Sequence, residues 1–166
     1  MRGVAITTTV LAVMTAIVSA RSSNCVAQTQ VLTAEEGIRW TYYQHKNLKA
    51  QLSGVQRDAL VNGLARAADP EQIKVIEEKI AAHDREIRLN NGQMEINEAK
   101  AMEFRAKKEM VSEQGNWFTL SAVLFQIAIM LSSVSALLKK KFMWLVGLLF
   151  GAAAMVCGVN ALFLFF

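Results

Sequence analysis

The sequence predicts an all-α membrane protein. Its parts are an N-terminal apolar helix, a long extramembrane helical hairpin of coiled-coil character, and a C-terminal hairpin of two transmembrane helices. Three observations predict this. Residues 3–20, 117–138 and 142–166 are apolar and carry no charge. All 14 acidic residues fall between Glu35 and Glu113, so charged and lipid-compatible stretches are separated along the chain. Pro70 is the only proline, and a chain so poor in breakers and in long alternating β-branched runs favours helix.

The first apolar segment lies between Arg2 and Arg21 and is just long enough to cross a ~30 Å hydrocarbon core. It fits two roles. A basic start, an apolar run and the small residues Val18-Ser19-Ala20 also make a cleavable secretory signal. Ser22-Ser23-Asn24 ahead of Cys25 lacks the apolar residue of a lipoprotein signal, so lipid attachment is not expected there.

The second and third segments each exceed the ~20 residues a spanning helix needs. Lys139-Lys140-Lys141 between them leaves room only for a tight turn, and Trp117 and Trp144 stand where indole rings favour the membrane interface. Lysines in a short loop point to the cytoplasm. That orientation puts residues 22–116 in the periplasm or exterior of a bacterial cell, with the chain multi-pass in the inner membrane. The expected divisions are 1–21 (anchor or signal), 22–116 (extramembrane hairpin) and 117–166 (transmembrane hairpin).

Charge excludes one class of partner. The net charge of +4 comes from Arg2 and the three loop lysines, because the 14 other Lys and Arg balance the 14 acids of the middle segment. A nucleic-acid partner would require basic residues gathered on one folded face. The expected partners are the lipid bilayer and either a second copy or another membrane protein.

In the middle segment, a helix from Glu35 to about Ala68 is predicted with Leu48, Leu52, Val55, Ala59 and Leu64 as its apolar face. Asp69-Pro70-Glu71-Gln72 then reads as a helix start, with Asp69 as cap and Pro70 at the first position. The turn is expected near 67–70. Beyond it runs a heptad-like stripe of Ile73, Ile76, Ile80, His83, Ile87, Asn90, Met94, Asn97, Ala101, Phe104, Lys108 and Val111. Asn90 and Asn97 either fix register within that seam or mark a loosened helix at Asn90-Asn91-Gly92. Gly115-Asn116 offers a bend before the membrane.

Reactive constellations are absent from the sequence. It has no phosphate-binding loop, nucleophile elbow, zinc-protease motif or Cys-x-x-Cys pair. His45 and His83 lie at different heights on the expected hairpin, and Cys25 and Cys157 at different depths. No catalytic residue, metal site or cofactor is expected. The informative residues are small. Gly147, Gly151, Ala154 and Gly158 form a close-packing stripe on the third segment, with Ser121, Ala128, Ser132 and Ser135 comparable on the second. Gln126 and Asn160 are polar within apolar surroundings and seek a partner across helices. Outside the lipid, Trp40, Tyr42, Tyr43 and Lys46 either pack between the hairpin arms or offer a partner surface.

Trp40-Thr41-Tyr42-Tyr43-Gln44-His45-Lys46 and Gln126-Ile127-Ala128-Ile129-Met130-Leu131-Ser132-Ser133 carry a resemblance. With these motifs and the order of its segments, the chain resembles the bacterial domain-of-unknown-function family 4337 over nearly its whole length. Where that family has Ser after the motif lysine, this chain has Asn47. The resemblance implies the architecture and a bacterial source, and it brings no activity. The expected function is therefore a non-enzymatic, membrane-anchored scaffold or an accessory subunit of a larger membrane complex. The alternative is an oligomeric channel or transporter component.

Overall fold

The computed structural model describes residues 2–66, 68–138 and 141–163. Among them the chain is helical, with α1 over Arg2–Leu64, α2 over Pro70–Leu138 and α3 over Lys141–Phe163. Lys139 and Lys140 of the expected loop, and Ala67 of the expected turn, lie outside the described residues. All three helices are long and apolar enough, in at least one stretch, to cross a membrane.

The helices are more continuous than the sequence led us to expect. α1 runs through Arg21 without a break, so the apolar segment and the charged segment share one helix. α2 likewise passes through Asn90-Asn91-Gly92 and through Gly115-Asn116. A lone glycine costs a helix only ~1 kcal/mol, which packing along the rest of the helix outweighs.

The turn between α1 and α2 is locally encoded. The Ala65 amide donates to Val61 O and the Arg66 amide to Gly63 O, closing α1. Asp69 then caps α2: its Oδ1 accepts the Glu71 amide at 3.1 Å and its carbonyl accepts the Ile73 amide at 3.0 Å. Pro70 occupies the first helical position, where its missing N–H costs nothing.

The chain forms two compact units. One comprises Met1–Val31 with Lys107–Phe166, the other Leu32–Ala106. In the first, the start of α1 lies beside the start of α3, with Trp144 Nε1 donating to Thr7 Oγ1 at 3.3 Å. Toward the other end, Ser22 Oγ and Thr119 Oγ1 share a hydrogen bond of 2.8 Å. α1 is thus parallel to α3 here, and α2 is antiparallel to both. The covered residues are mostly small or aromatic, among them Phe118, Ser121, Ala122, Phe125, Ala128 and Ser132 on α2, and Gly147, Gly151, Ala154 and Ala161 on α3. The outer surface is the greasier one. Phe142, Leu149, Val156 and Phe163 are each at least 70% exposed, while Ser121 and Ala128 are wholly covered. A water-soluble bundle would reverse that order.

In the second unit α1 and α2 lie side by side and antiparallel. Ser53 Oγ donates to Glu86 Oε2 at 2.9 Å, and Arg57 Nη1 reaches Asp84 Oδ1 at 3.5 Å. These contacts fix the register. On α2 the covered face is the stripe Ile73, Ile76, Ile80, His83, Ile87, Asn90, Met94, Asn97, Ala101 and Phe104. On α1 the covered face corrects the expectation: it holds Leu32, Glu36, Arg39, Tyr43, Lys46, Ala50, Ser53, Arg57, Leu60 and Leu64. Leu48, Leu52 and Val55 instead face outward, 58–67% exposed, and Ala59 joins them. The reason is electrostatic and geometric. Facing the other way would put Leu48 and Leu52 on the polar middle of α2 and leave Glu86 and Asp84 without Ser53 and Arg57.

Close approach predicts opposite outcomes at two glycines. A Cβ on Gly147 would stand 3.0 Å from Ser132 Oγ and 3.1 Å from the Ala128 carbonyl oxygen, whereas Gly92 has open space around it. Gly147→Val should lower stability by roughly 1–3 kcal/mol through overpacking. Gly92→Ala should raise it by up to about 1 kcal/mol through helix propensity. Thermal unfolding in mild detergent, followed by far-ultraviolet circular dichroism, reads both.

Candidate functional site

The site residues singled out in the sequence sort into two groups, one in each unit. In the first unit α2 and α3 approach through the small-residue stripe. Gly147 meets Ser132 and Ala128, Gly151 meets Ala128 and the Leu11 side chain of α1, and Gly158 meets Ser121. Ser121 Oγ donates to the Ala154 carbonyl at 2.7 Å, a buried bond across the two helices. Gly147, Gly151, Ala154, Gly158, Ser121, Ala128 and Ser132 therefore come together within one chain. Gln126 does not join them: it lies on the exposed side of α2, as Asn160 does on α3.

Sequence reasoning missed a second buried polar contact in this unit. Gln114 Nε2 donates to the Ala161 carbonyl at 3.1 Å, and its Oε1 accepts from Cys25 Sγ at 3.9 Å. Gln114 thus bonds to α1 and α3 at once, one turn before Phe118. The available signal was its place in the stripe Gln114, Phe118, Ser121, Phe125, Ala128, Ser132, Ser135, which repeats at steps of four and three. Gly115 beside it has the Cys25 Cβ 3.1 Å from where its own Cβ would stand, so α1 and α2 pack closely here.

Cys25 is buried under Phe118, Val18 and Trp117. Burial pushes its thiol above the ordinary pKa, and the nearby Arg21 opposes this only in part. A protonated, covered thiol is a weak nucleophile. Cys157 is free and half-buried. Next to Cys25, a groove between the three helices is lined by Val18, Phe118, Phe125, Met155 and Leu162 and ends at Arg21. Its walls are apolar and bring no reactive pair together.

In the second unit the aromatic motif is split between two faces. Trp40 and Tyr43 lie half-buried and meet edge to face, centroids 5.4 Å apart at 75°. Such a pair is worth about 0.5–1.5 kcal/mol beyond its area. Lys46 is half-buried on the same side, whereas Tyr42 is exposed on the opposite one beside His45. The two histidines stay apart. His83 sits on the covered face with Nδ1 4.0 Å from Glu86 Oε2, and that nitrogen, like Arg39 Nε, is buried without a hydrogen bond. Among the described residues, no three His, Cys, Asp or Glu side chains come together as a metal site would require. What the arrangement does is hold helices in register.

The Cys25 environment makes a measurable prediction. A maleimide should label Cys25 at least tenfold more slowly in the folded protein than after denaturation in dodecyl sulfate. Gln114→Leu should speed labelling and cost about 1–2 kcal/mol, because one amide carries both buried contacts. Mass spectrometry of the labelled protein over time gives both rates.

No curated protein and no solved structure matches the chain. The family model described as "Domain of unknown function (DUF4337)" matches residues 1–164. A match over almost the whole length, on a chain with this helical order, shows that the protein belongs to the DUF4337 family.

Proposed function

We propose that this protein is a multi-pass component of the bacterial cytoplasmic membrane that performs no chemistry of its own and serves as an assembly element. It is either an oligomeric scaffold or an accessory subunit docked to another membrane protein. In this reading residues 1–21, 117–138 and 142–163 lie in lipid, and residues 22–116, including the helical hairpin of the second unit, stand in the periplasm. The Lys139-Lys141 loop stays in the cytoplasm.

The observation that carries the reading is the reversed distribution of residue size in the first unit. Glycine, alanine and serine fill most of the interior around Phe118 and Phe125, while leucine, valine and the phenylalanines of α3 cover the outside. Helices in lipid gain nothing from hiding leucine, so they pack through small residues and interhelical hydrogen bonds. A second feature favours assembly over a solitary anchor. Gln126 and Asn160 point outward from this apolar surface. An amide turned toward lipid is costly unless another helix meets it. A channel would have to form between copies, with these two amides around the path.

Native mass spectrometry of protein extracted in mild detergent tests the reading. We expect an oligomer or a complex with a second membrane protein. A strict monomer with nothing co-purifying would overturn it. Reconstituted vesicles should pass no more ions than protein-free ones; a conductance abolished by Gln126→Leu would move the account to a channel.

A further inference from the structure

The face of α1 that points away from α2 is as regular as the covered one. Ala34, Ile38, Thr41, His45, Leu48, Leu52, Val55 and Ala59 follow one another at alternating steps of four and three, and every one is exposed. A sustained seven-residue repeat of mainly apolar side chains is the signature of a helix that supercoils with another helix. Since the covered face keeps the same repeat at different positions, α1 has two seams on nearly opposite sides, and α2 fills one.

The unpaired seam carries a shallow, open hollow. It is bounded by Ala34, Gly37, Ile38, Thr41, Tyr42 and His45. With Ile38 and His45 at a positions and Ala34 and Thr41 at d positions, Gly37 is at g and Tyr42 at e. In a parallel two-stranded coiled coil, each knob enters a hole made by four residues of the facing helix. Ala34, Gly37, Ile38 and Thr41 form the hole for an incoming Ile38. Ile38, Thr41, Tyr42 and His45 form the next, for an incoming Thr41. The six residues of the hollow are those two successive holes.

We propose that this outer face of α1 is the seam through which two copies of the chain pair, parallel and in register. The inference rests on the assembly reading above and names its surface. Charge is compatible with a second copy as occupant. Parallel pairing sets each g residue against the e residue five places on in the second copy: Gly37 by Tyr42, Gln44 by Lys49, Gln51 by Gln56, Asp58 by Gly63. No like charges meet, and Gly37 leaves room for the tyrosine ring. The covered face, with Glu36, Arg39, Lys46 and Arg57, would oppose like to like if it paired with itself. Copies inserted in one membrane share an orientation, which makes their α1 helices parallel.

The test uses the full chain with Cys25→Ala and Cys157→Ala as background. Adding Leu48→Cys and oxidising native membranes should give a crosslinked dimer, because a d position faces its own copy in a parallel pair. Ile38→Glu with Leu52→Glu should weaken dimerisation by roughly tenfold or more, read by native mass spectrometry, with the helical dichroism unchanged. Both sites are exposed, so the fold does not depend on them. Leu89→Glu on the exposed side of α2 should leave the dimer intact. A wild type that stays monomeric at every concentration overturns the proposal, as does crosslinking of Ile38→Cys to Leu48→Cys in place of Leu48→Cys to itself. If oligomers survive the double glutamate variant unchanged, the seam is wrong while the assembly reading stands. If neither oligomer nor co-purifying protein is found, both fall.

Discussion

Hydrocarbon offers no partner to a peptide N–H or C=O, and in the proposed membrane reading this constraint organises the first unit. Every backbone group crossing lipid must be satisfied within its own segment, which leaves the helix as the economical form for a short chain. With the backbone satisfied, side chains choose the packing. Gly147 against Ser132, Gly158 against Ser121 and Gly115 against Cys25 let the helix axes approach closely. Ser121 and Gln114 then donate to carbonyls of α3. The hydroxyl and amide groups here are buried where water cannot compete, so each bond restricts how the helices slide or rotate.

In the proposed reading the second unit stands in water, and its packing makes an unusual compromise. Its α2 offers isoleucines near the turn and polar residues further along, and α1 answers with Leu60 and Leu64 near the turn, then Arg57, Ser53 and Ala50. Ser53–Glu86 and Arg57–Asp84 are half-exposed contacts worth little individually. They act on register more than on stability, because a slip by one residue would separate both pairs at once. Meanwhile the stronger hydrophobic stripe of α1, with Leu48, Leu52 and Val55, is left facing out. A helix that spends its polar face on its own partner and keeps its apolar face free is suited to pairing twice.

Much of this was legible in the residues, and what was not has a physical reason. Asp69-Pro70 marked the start of α2 because cap chemistry is local. The stripe from Ile73 to Phe104 marked the covered face of α2, since one repeat there dominated. The glycine stripe of α3 was plain because small residues in an apolar helix have few other uses. On α1 the same reasoning selected Leu48, Leu52 and Val55 and chose the wrong face. Periodicity says that a face exists, and it does not say which of two faces the intrachain partner takes; that depends on Asp84 and Glu86, which are distant in sequence. Continuity through Arg21 and Gly115-Asn116 was also missed, and at Asn90-Gly92 it was only one of two readings, because breaker propensities of about 1 kcal/mol are easily overridden by long-range packing. Gln114 escaped notice because its two partners, Cys25 and Ala161, lie far away along the chain.

In the proposed reading this member of the DUF4337 family works through surfaces between helices, some filled within the chain and some left for assembly. All of it presupposes that lipid surrounds the outward leucines, valines and phenylalanines of the first unit. Alkaline carbonate extraction of native membranes tests that most directly. The account predicts that the protein stays with the sedimented bilayer, as integral proteins do. Recovery in the supernatant, alongside peripheral proteins, would contradict it.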